Sequence, residues 1–212
     1  MLVKKTYVKA EKVKFVMRLM DLLRRINLLK SVPRTGWALA KIERTSMEDV
    51  AQHSFEVASI CVAVGDELKK RGTQLDLHKT VLMALIHDWN EALIGDIPYP
   101  ALEYAGDRGF KSEMEVNATA KMLSGHPELL ALWQEYHEQS SPEARLVRAA
   151  DYLSMLLQAL TYMERGTRCK EMDGLWAAVR QDITPFLSEF PLLSGLVDEL
   201  EQKKAEILSS GG

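Results

Sequence analysis

The chain has 212 residues, a formal charge of −3, 47% hydrophobic and 27% charged residues, enough for one sizeable core of ordinary globular composition. So small a charge excludes the strong basic field that gathers nucleic acid polymers or an anionic membrane. Cys61 and Cys169 lie too far apart for a CxxC pair and fit a reducing cytosol, and no apolar run approaches the length of a bilayer span. The basic N-terminus "MLVKKTYVKAEKVKF" contains no uninterrupted apolar stretch, so no signal peptide is expected and the expected location is cytoplasmic.

Helical periodicity dominates. Residues 1–10 read as an N-terminal extension, 11–208 as a single domain, and 209–212 as a disordered tail. "EKVKFVMRLMDLLRRINLLKSV" (11–32) puts Val13, Val16, Met17, Met20, Leu23, Ile26 and Leu29 on one face of an amphipathic helix. "SVPRTGWALAKIERT" (31–45), with Pro33 and Gly36, reads as a loop. Thr45 or Ser46 then caps a second helix, with Asp49 in the capping-box position after Ser46. Asp76 caps a third helix that runs through "VLMALIHDWNEALIGDIP" and breaks near Gly95 and Pro98. Helicity resumes after Gly109. Pro127 opens the next helix, and Ser141-Pro142 starts a long one that stops at Gly166. Two more helical segments follow, near 171–188 and 193–208. With no sustained strand alternation, the expected fold is one all-α bundle of roughly seven to nine helices.

Three helices carry polar groups in apolar surroundings. On the third, His87 and Glu91 are four apart and Asp88 and Glu91 three apart, so all project from one helical surface behind the apolar stem Val81–Ile86. An imidazole beside a carboxylate makes a mixed nitrogen and oxygen site for a divalent cation, but two ligands rarely suffice. Further ligand types stand at His53 and Asp151. Each also has a plainer explanation: a satisfied core histidine for His53, an ion pair with Arg145 or Arg148 for Asp151. His78, His126 and His137 read as structural, with His137 a secondary candidate for lining the pocket.

The order His53, His87-Asp88, Asp151 resembles the H…HD…D signature of HD-domain metal-dependent phosphohydrolases. "HDWNEALIGDIP" and "VPRTGWAL" resemble the 5′-deoxynucleotidase branch of that superfamily, with the R-T-G-W spacing of its archaeal and eukaryotic members. The likeness runs from about Leu28 to Leu160. It implies that His53, His87, Asp88 and Asp151 bind one divalent metal ion (Mn, Co, Mg, Zn, Fe and Ni all suit such ligands). It also implies that Glu91 and Asp96 act beside the metal, and that Arg34 and Trp37 contact a nucleoside 5′-monophosphate. Other readings stay open: a nucleoside triphosphate or cyclic nucleotide as substrate, or a non-catalytic scaffold stabilised by a metal. The apolar surplus of the first and C-terminal helices leads us to expect a homodimer.

Overall fold

The computed structural model describes residues 17–98 and 109–210. Among these the fold is all-α, and the extended backbone is limited to an isolated bridge between Pro33 and Asp49. The N-terminal extension, the start of the first expected helix and the last two residues of the expected tail lie outside the described residues. Helix α1 covers 17–28 and tightens into a 3-10 turn, Leu29–Ser31. Then come α2 (Gly36–Leu39), α3 (Val50–Lys70), α4 (Leu77–Ile86) and α5 (Glu91–Ile94). After 109 come α6 (Phe110–Met122), α7 (Pro127–Glu138), α8 (Pro142–Glu164), α9 (Lys170–Leu187) and α10 (Pro191–Ser209).

Helix α8 is the axis of the bundle. Its Leu146, Val147, Ala149, Ala150, Leu153, Leu156 and Ala159 are buried on every side, and it packs against α3, α4, α7, α9 and α10. Burying each large aliphatic side chain contributes roughly 1.5–3 kcal/mol, so this helix carries more of the hydrophobic stabilisation than its length alone implies. Helix α3 presents Val50, Val57, Cys61, Val64 and Leu68 to it at helical spacing. At Gly65 a Cβ would stand 2.5 Å from Leu77 Cδ2, so the missing side chain lets α3 and α4 close on each other. Cys61 is fully buried, and that burial pushes its thiol up to about 12, which suits a core packing group.

Several local expectations are met by identifiable bonds. The Asp76 side chain accepts from Lys79 N, and the Ser141 side chain accepts from Ala144 N with Pro142 in the first turn. Gly166 sits past α8 at φ 99°. Three details differ. The cap of α3 is Asp49 itself, paired reciprocally with Gln52, because a carboxylate directly before the helix reaches the free N–H groups that Ser46 is too far away to meet. The loop after Pro33 contains the single turn α2, closed by Trp37 donating its backbone N–H to Arg34 O. Helix α10 runs through Ser209, one residue into the expected tail.

The fourth difference shapes the site. The expected helix through 81–94 is two helices, α4 and α5, joined by a turn over 87–90. Two side chains take the carbonyls that would have continued the ladder: His87 Nδ1 bonds Ala84 O at 2.7 Å, and Trp133 Nε1 donates to His87 O at 2.9 Å. The backbone answers with tighter turns, Glu91 N to Asp88 O and Ala92 N to Trp89 O, both at 3.1 Å.

Candidate metal centre and its acidic rim

Helices α3, α4 and α8 meet where their polar residues lie. His53 Nε2 is 3.1 Å from Asp151 Oδ1 and 3.7 Å from Asp88 Oδ2, and His87 Nε2 is 3.1 Å from the same Asp88 oxygen. The two imidazole centroids are 5.5 Å apart. Donor atoms of His53, His87 and Asp88 all lie within 4.8 Å of one another, a spacing that can hold a metal ion. His53 is 0% and Asp151 8% exposed.

Hydrogen counting shows what these atoms need. A carbonyl can only accept, so Ala84 O places the ring hydrogen of His87 on Nδ1 and leaves Nε2 with its lone pair turned inward. His53 Nε2, His87 Nε2 and Asp151 Oδ1 are buried with no hydrogen-bond partner. Short separations without hydrogens between acceptors are repulsive unless a cation or a proton sits among them. The two-nitrogen, two-carboxylate set fits a divalent cation, with room on a six-coordinate ion for further ligands. Burial opposes ionisation of Asp88 and Asp151, yet His87 beside Asp88 and His53 beside Asp151, with the guanidiniums of Arg34 and Arg148, hold both well below the usual carboxylate range. The same carboxylates raise the His87 pKa against its burial, so a proton at its Nε2 takes the place that a cation would fill. Burial and Arg34 together depress the His53 pKa and keep that ring neutral, the form in which imidazole ligates.

The plainer account of Asp151 also holds, on its other oxygen. Arg148 Nη1 reaches Asp151 Oδ2 at 3.2 Å while its guanidinium lies 4.5 Å above the Tyr136 ring. One carboxylate oxygen is thus anchored and the other left free toward His53. Arg145 pairs instead with Glu189, at 2.7 Å.

Beyond the cluster stands an acidic rim gathered around one cation. Arg34 Nη1 is 3.3 Å from Asp96 Oδ1, 3.5 Å from Asp88 Oδ2 and 3.9 Å from Glu91 Oε1. Burial works against the guanidinium charge, but these carboxylates outweigh it and raise the Arg34 pKa. Glu91 is driven the other way: burial first, then the Asp88 charge, push its carboxyl well above the ordinary range, and its Oε2 has no partner. Asp96 holds the Arg34 loop, taking hydrogen bonds from the Thr35 backbone N–H and placing its Oδ2 2.9 Å from the Thr35 hydroxyl. It can do so because Gly95 adopts φ 74°, ψ 168°, a conformation essentially reserved for glycine.

Seven of the eight expected site residues therefore converge: His53, His87, Asp88, Asp151, Glu91, Asp96 and Arg34. Trp37 stands apart. It is 2% exposed within the core, edge-on to Tyr162 at 5.2 Å, with Nε1 donating to Glu48 Oε1 at 2.6 Å. Its indole anchors the Arg34 loop from below, so the expectation that it touches a nucleotide does not match its position. The hydrophobic advantage of sealing an indole in the core, with its one N–H satisfied, explains the difference. Sequence reasoning missed Glu48, Ser154, Glu56, Tyr136 and Trp133, and had Arg148 as one of two candidate partners for Asp151. The spacings His53-x-x-Glu56 and Asp151-x-x-Ser154, one helical turn each, are the signal from which two of them were recoverable.

The bundle turns imidazoles and acids inward into a cluster whose spacing can hold a metal ion. An HD domain family model matches residues 26–190, and the chain belongs to that family. Among curated proteins it is 34% identical over 184 residues to the 5′-deoxynucleotidase HDDC2 of Dictyostelium discoideum, covering 83% of this chain and 93% of that protein. It is 30% identical over 190 residues to the 5′-deoxynucleotidase HDDC2 of Homo sapiens, covering 88% and 86%. Among solved structures, the PH0347 protein from Pyrococcus horikoshii superposes with a TM-score of 0.75 at 36% identity, over 87% of this chain and 99% of that one.

Proposed function

We propose that this chain is a metal-dependent phosphohydrolase acting on deoxynucleoside 5′-monophosphates, releasing the nucleoside and phosphate. The observation that carries the reading is the convergence of unpartnered lone pairs from His53, His87 and Asp151 beside Asp88. Relatives of matching length that bear the name 5′-deoxynucleotidase support the substrate class.

His53, His87, Asp88 and Asp151 would hold one divalent cation, whose identity the nitrogen and oxygen ligands leave to availability. When bound, the cation supplies Lewis acidity at the phosphoryl group and a more acidic water. The remaining chemistry belongs to the chain. Arg34 presents a guanidinium whose charge is already fixed by three carboxylates, so it can meet a phosphate without reorganising. Glu91, with Oε2 unpartnered at the mouth of the cluster, moves the proton, either from the attacking water or to the departing 5′-oxygen. Asp96 keeps Arg34 and Thr35 in register. Trp37 sets the height of that loop from the core side.

The experiment is phosphate release from a panel of deoxynucleoside and nucleoside 5′-monophosphates, with Mn, Co or Mg added, beside a His87→Ala control. Metal-dependent release that the control lacks supports the reading. Release no greater than the control under every metal sinks it, and hydrolysis confined to triphosphates or cyclic nucleotides moves the assignment to those substrates.

The proposal retains a homodimer and a cytosolic setting. Among the described residues no helix is long and apolar enough to cross a membrane. For the dimer, support comes from α1, where Met17, Met20, Leu23 and Leu28 are exposed. The C-terminal helix lends less, because its Leu193, Val197 and Leu200 are buried in the chain's own core. Light scattering after gel filtration reads the assembly directly, and a mass of one chain at micromolar concentration removes the dimer.

A further inference from the structure

The two imidazoles at the centre are held in different ways. His87 is fixed by its own helix, through Ala84 O. His53 is fixed across the bundle: its Nδ1 lies 3.3 Å from Ser154 Oγ, and that hydroxyl donates to Glu56 Oε2 at 2.6 Å. Ser154 is fully buried. The pairs interlock, since His53 and Glu56 lie one turn apart on α3, and Asp151 and Ser154 lie one turn apart on α8.

A serine hydroxyl has one hydrogen. Once Glu56 accepts it, Ser154 Oγ can only accept from His53. That forces the ring hydrogen of His53 onto Nδ1 and turns the Nε2 lone pair toward Asp151 and Asp88. Without Glu56 the hydroxyl is free to donate to Nδ1 instead, which would place the ring hydrogen on Nε2, pointing into the cluster where it opposes a cation. We infer that Glu56 and Ser154 are positioning residues: a carboxylate–hydroxyl–imidazole relay that selects the ligating tautomer of His53 and thereby sets the affinity of the centre for its cation. The inference rests on the proposed metal site and goes beyond it, assigning function to two residues that touch neither the cation nor the substrate.

Outer partners of this kind typically change metal affinity about 10- to 100-fold when removed. The test is Mn(II) binding by isothermal titration calorimetry to wild type, Ser154→Ala, Glu56→Ala, the double variant, Glu56→Gln and a His53→Ala control. Melting temperatures of the metal-free proteins are measured in parallel. Expected are losses of about 10- to 100-fold for Ser154→Ala and Glu56→Ala. The double variant should lose no more than Ser154→Ala alone, since both changes cut the same chain. Glu56→Gln should lose less, because its carbonyl can still accept from Ser154. Glu56 is only partly buried, so its variants report even should Ser154→Ala fold poorly. As a readout that needs no metal, ¹⁵N chemical shifts at pH 8 should show His53 as the Nδ1–H tautomer in wild type and a mixture in Glu56→Ala.

Binding in Glu56→Ala within twofold of wild type, or a wild-type His53 already carrying its hydrogen on Nε2, overturns the relay while leaving the metal site standing. Wild type that binds Mn(II) no better than His53→Ala overturns both.

Discussion

The helical floor of the centre and its looped rim obey different rules. The floor comprises His53, His87, Asp88 and Asp151 on or at the ends of α3, α4 and α8, three stretches of chain whose polar residues lie tens of positions apart but whose helices are pressed together by aliphatic packing. The rim comprises Arg34, Thr35 and Asp96 on two loops, tied to each other by side-chain hydrogen bonds and to the N-terminus of α3 by the bonds Arg34 N to Glu48 O at 3.0 Å and Val50 N to Val32 O at 2.9 Å. Rigid helices can hold side chains to the tolerance a cation would demand, while loops suit the proposed task of bringing a charge to a substrate of variable pose. The floor should therefore fail all at once when a ligand goes, and the rim by degrees.

The largest effect should come from the floor. His87→Ala or Asp151→Ala removes a proposed ligand and, for Asp151, also leaves Arg148 without its carboxylate. Activity of the metal-loaded enzyme should fall by roughly 10³-fold or more, and chelation should reproduce that loss in wild type. Variants retaining a tenth of wild-type turnover would mean that the floor is not the centre.

Beneath the rim lies a pH-sensitive support. Burial raises the Glu48 carboxyl to about 7 from its ordinary 4.5, partly offset by the hydrogen bond from Trp37 and by the Arg34 charge. A folded pKa above the unfolded one means that, between pH 4.5 and 7, the folded chain keeps a proton that the unfolded chain releases. The stabilisation is therefore fully present below the lower value and lost as pH rises through the upper one, by at most roughly 3 kcal/mol. Glu48→Gln keeps an acceptor for Trp37 without the ionisation, so its melting temperature should vary less than wild type over that window. Parallel pH profiles for the two proteins would count against a neutral Glu48.

Arg34→Lys tests the rim itself. A lysine keeps the charge but not the planar fork among Asp88, Glu91 and Asp96, and kcat/KM should drop about 10- to 100-fold with metal affinity little changed. A loss of metal binding of the same size would place Arg34 with the floor instead. The smallest effect should be Gly95→Ala. Its positive φ is strained for any L side chain, at a cost of about 1–2 kcal/mol in stability, with Asp96 displaced from Thr35. Chemical denaturation measures the first, and a raised KM reports the second.

The difference between floor and rim also separates what was legible in the sequence. His53, His87, Asp88 and Asp151 announced themselves because an ionisable group in an apolar helical context is costly and therefore informative. Asp76, Ser141 and Pro142 marked helix starts by chemistry that acts within one turn. His87-Asp88-x-x-Glu91 gave the residues but not their backbone, because Trp133, forty-six positions from His87, takes the carbonyl that would have kept the helix whole. The Trp37 side chain was visible as an aromatic near an arginine, yet only packing against Tyr162 and Glu48 turns it inward.

By itself, then, the amino-acid order determined the helical class and most element boundaries, consequences of spacing at 3.6 residues per turn and of local capping, and it marked the candidate ligands. The tertiary structure alone decided which buried polar atoms face one another, which oxygen of Asp151 is left without a hydrogen-bond partner and which hydroxyl stands beside His53 Nδ1. Those depend on distances between helices distant in sequence, and no local periodicity encodes them.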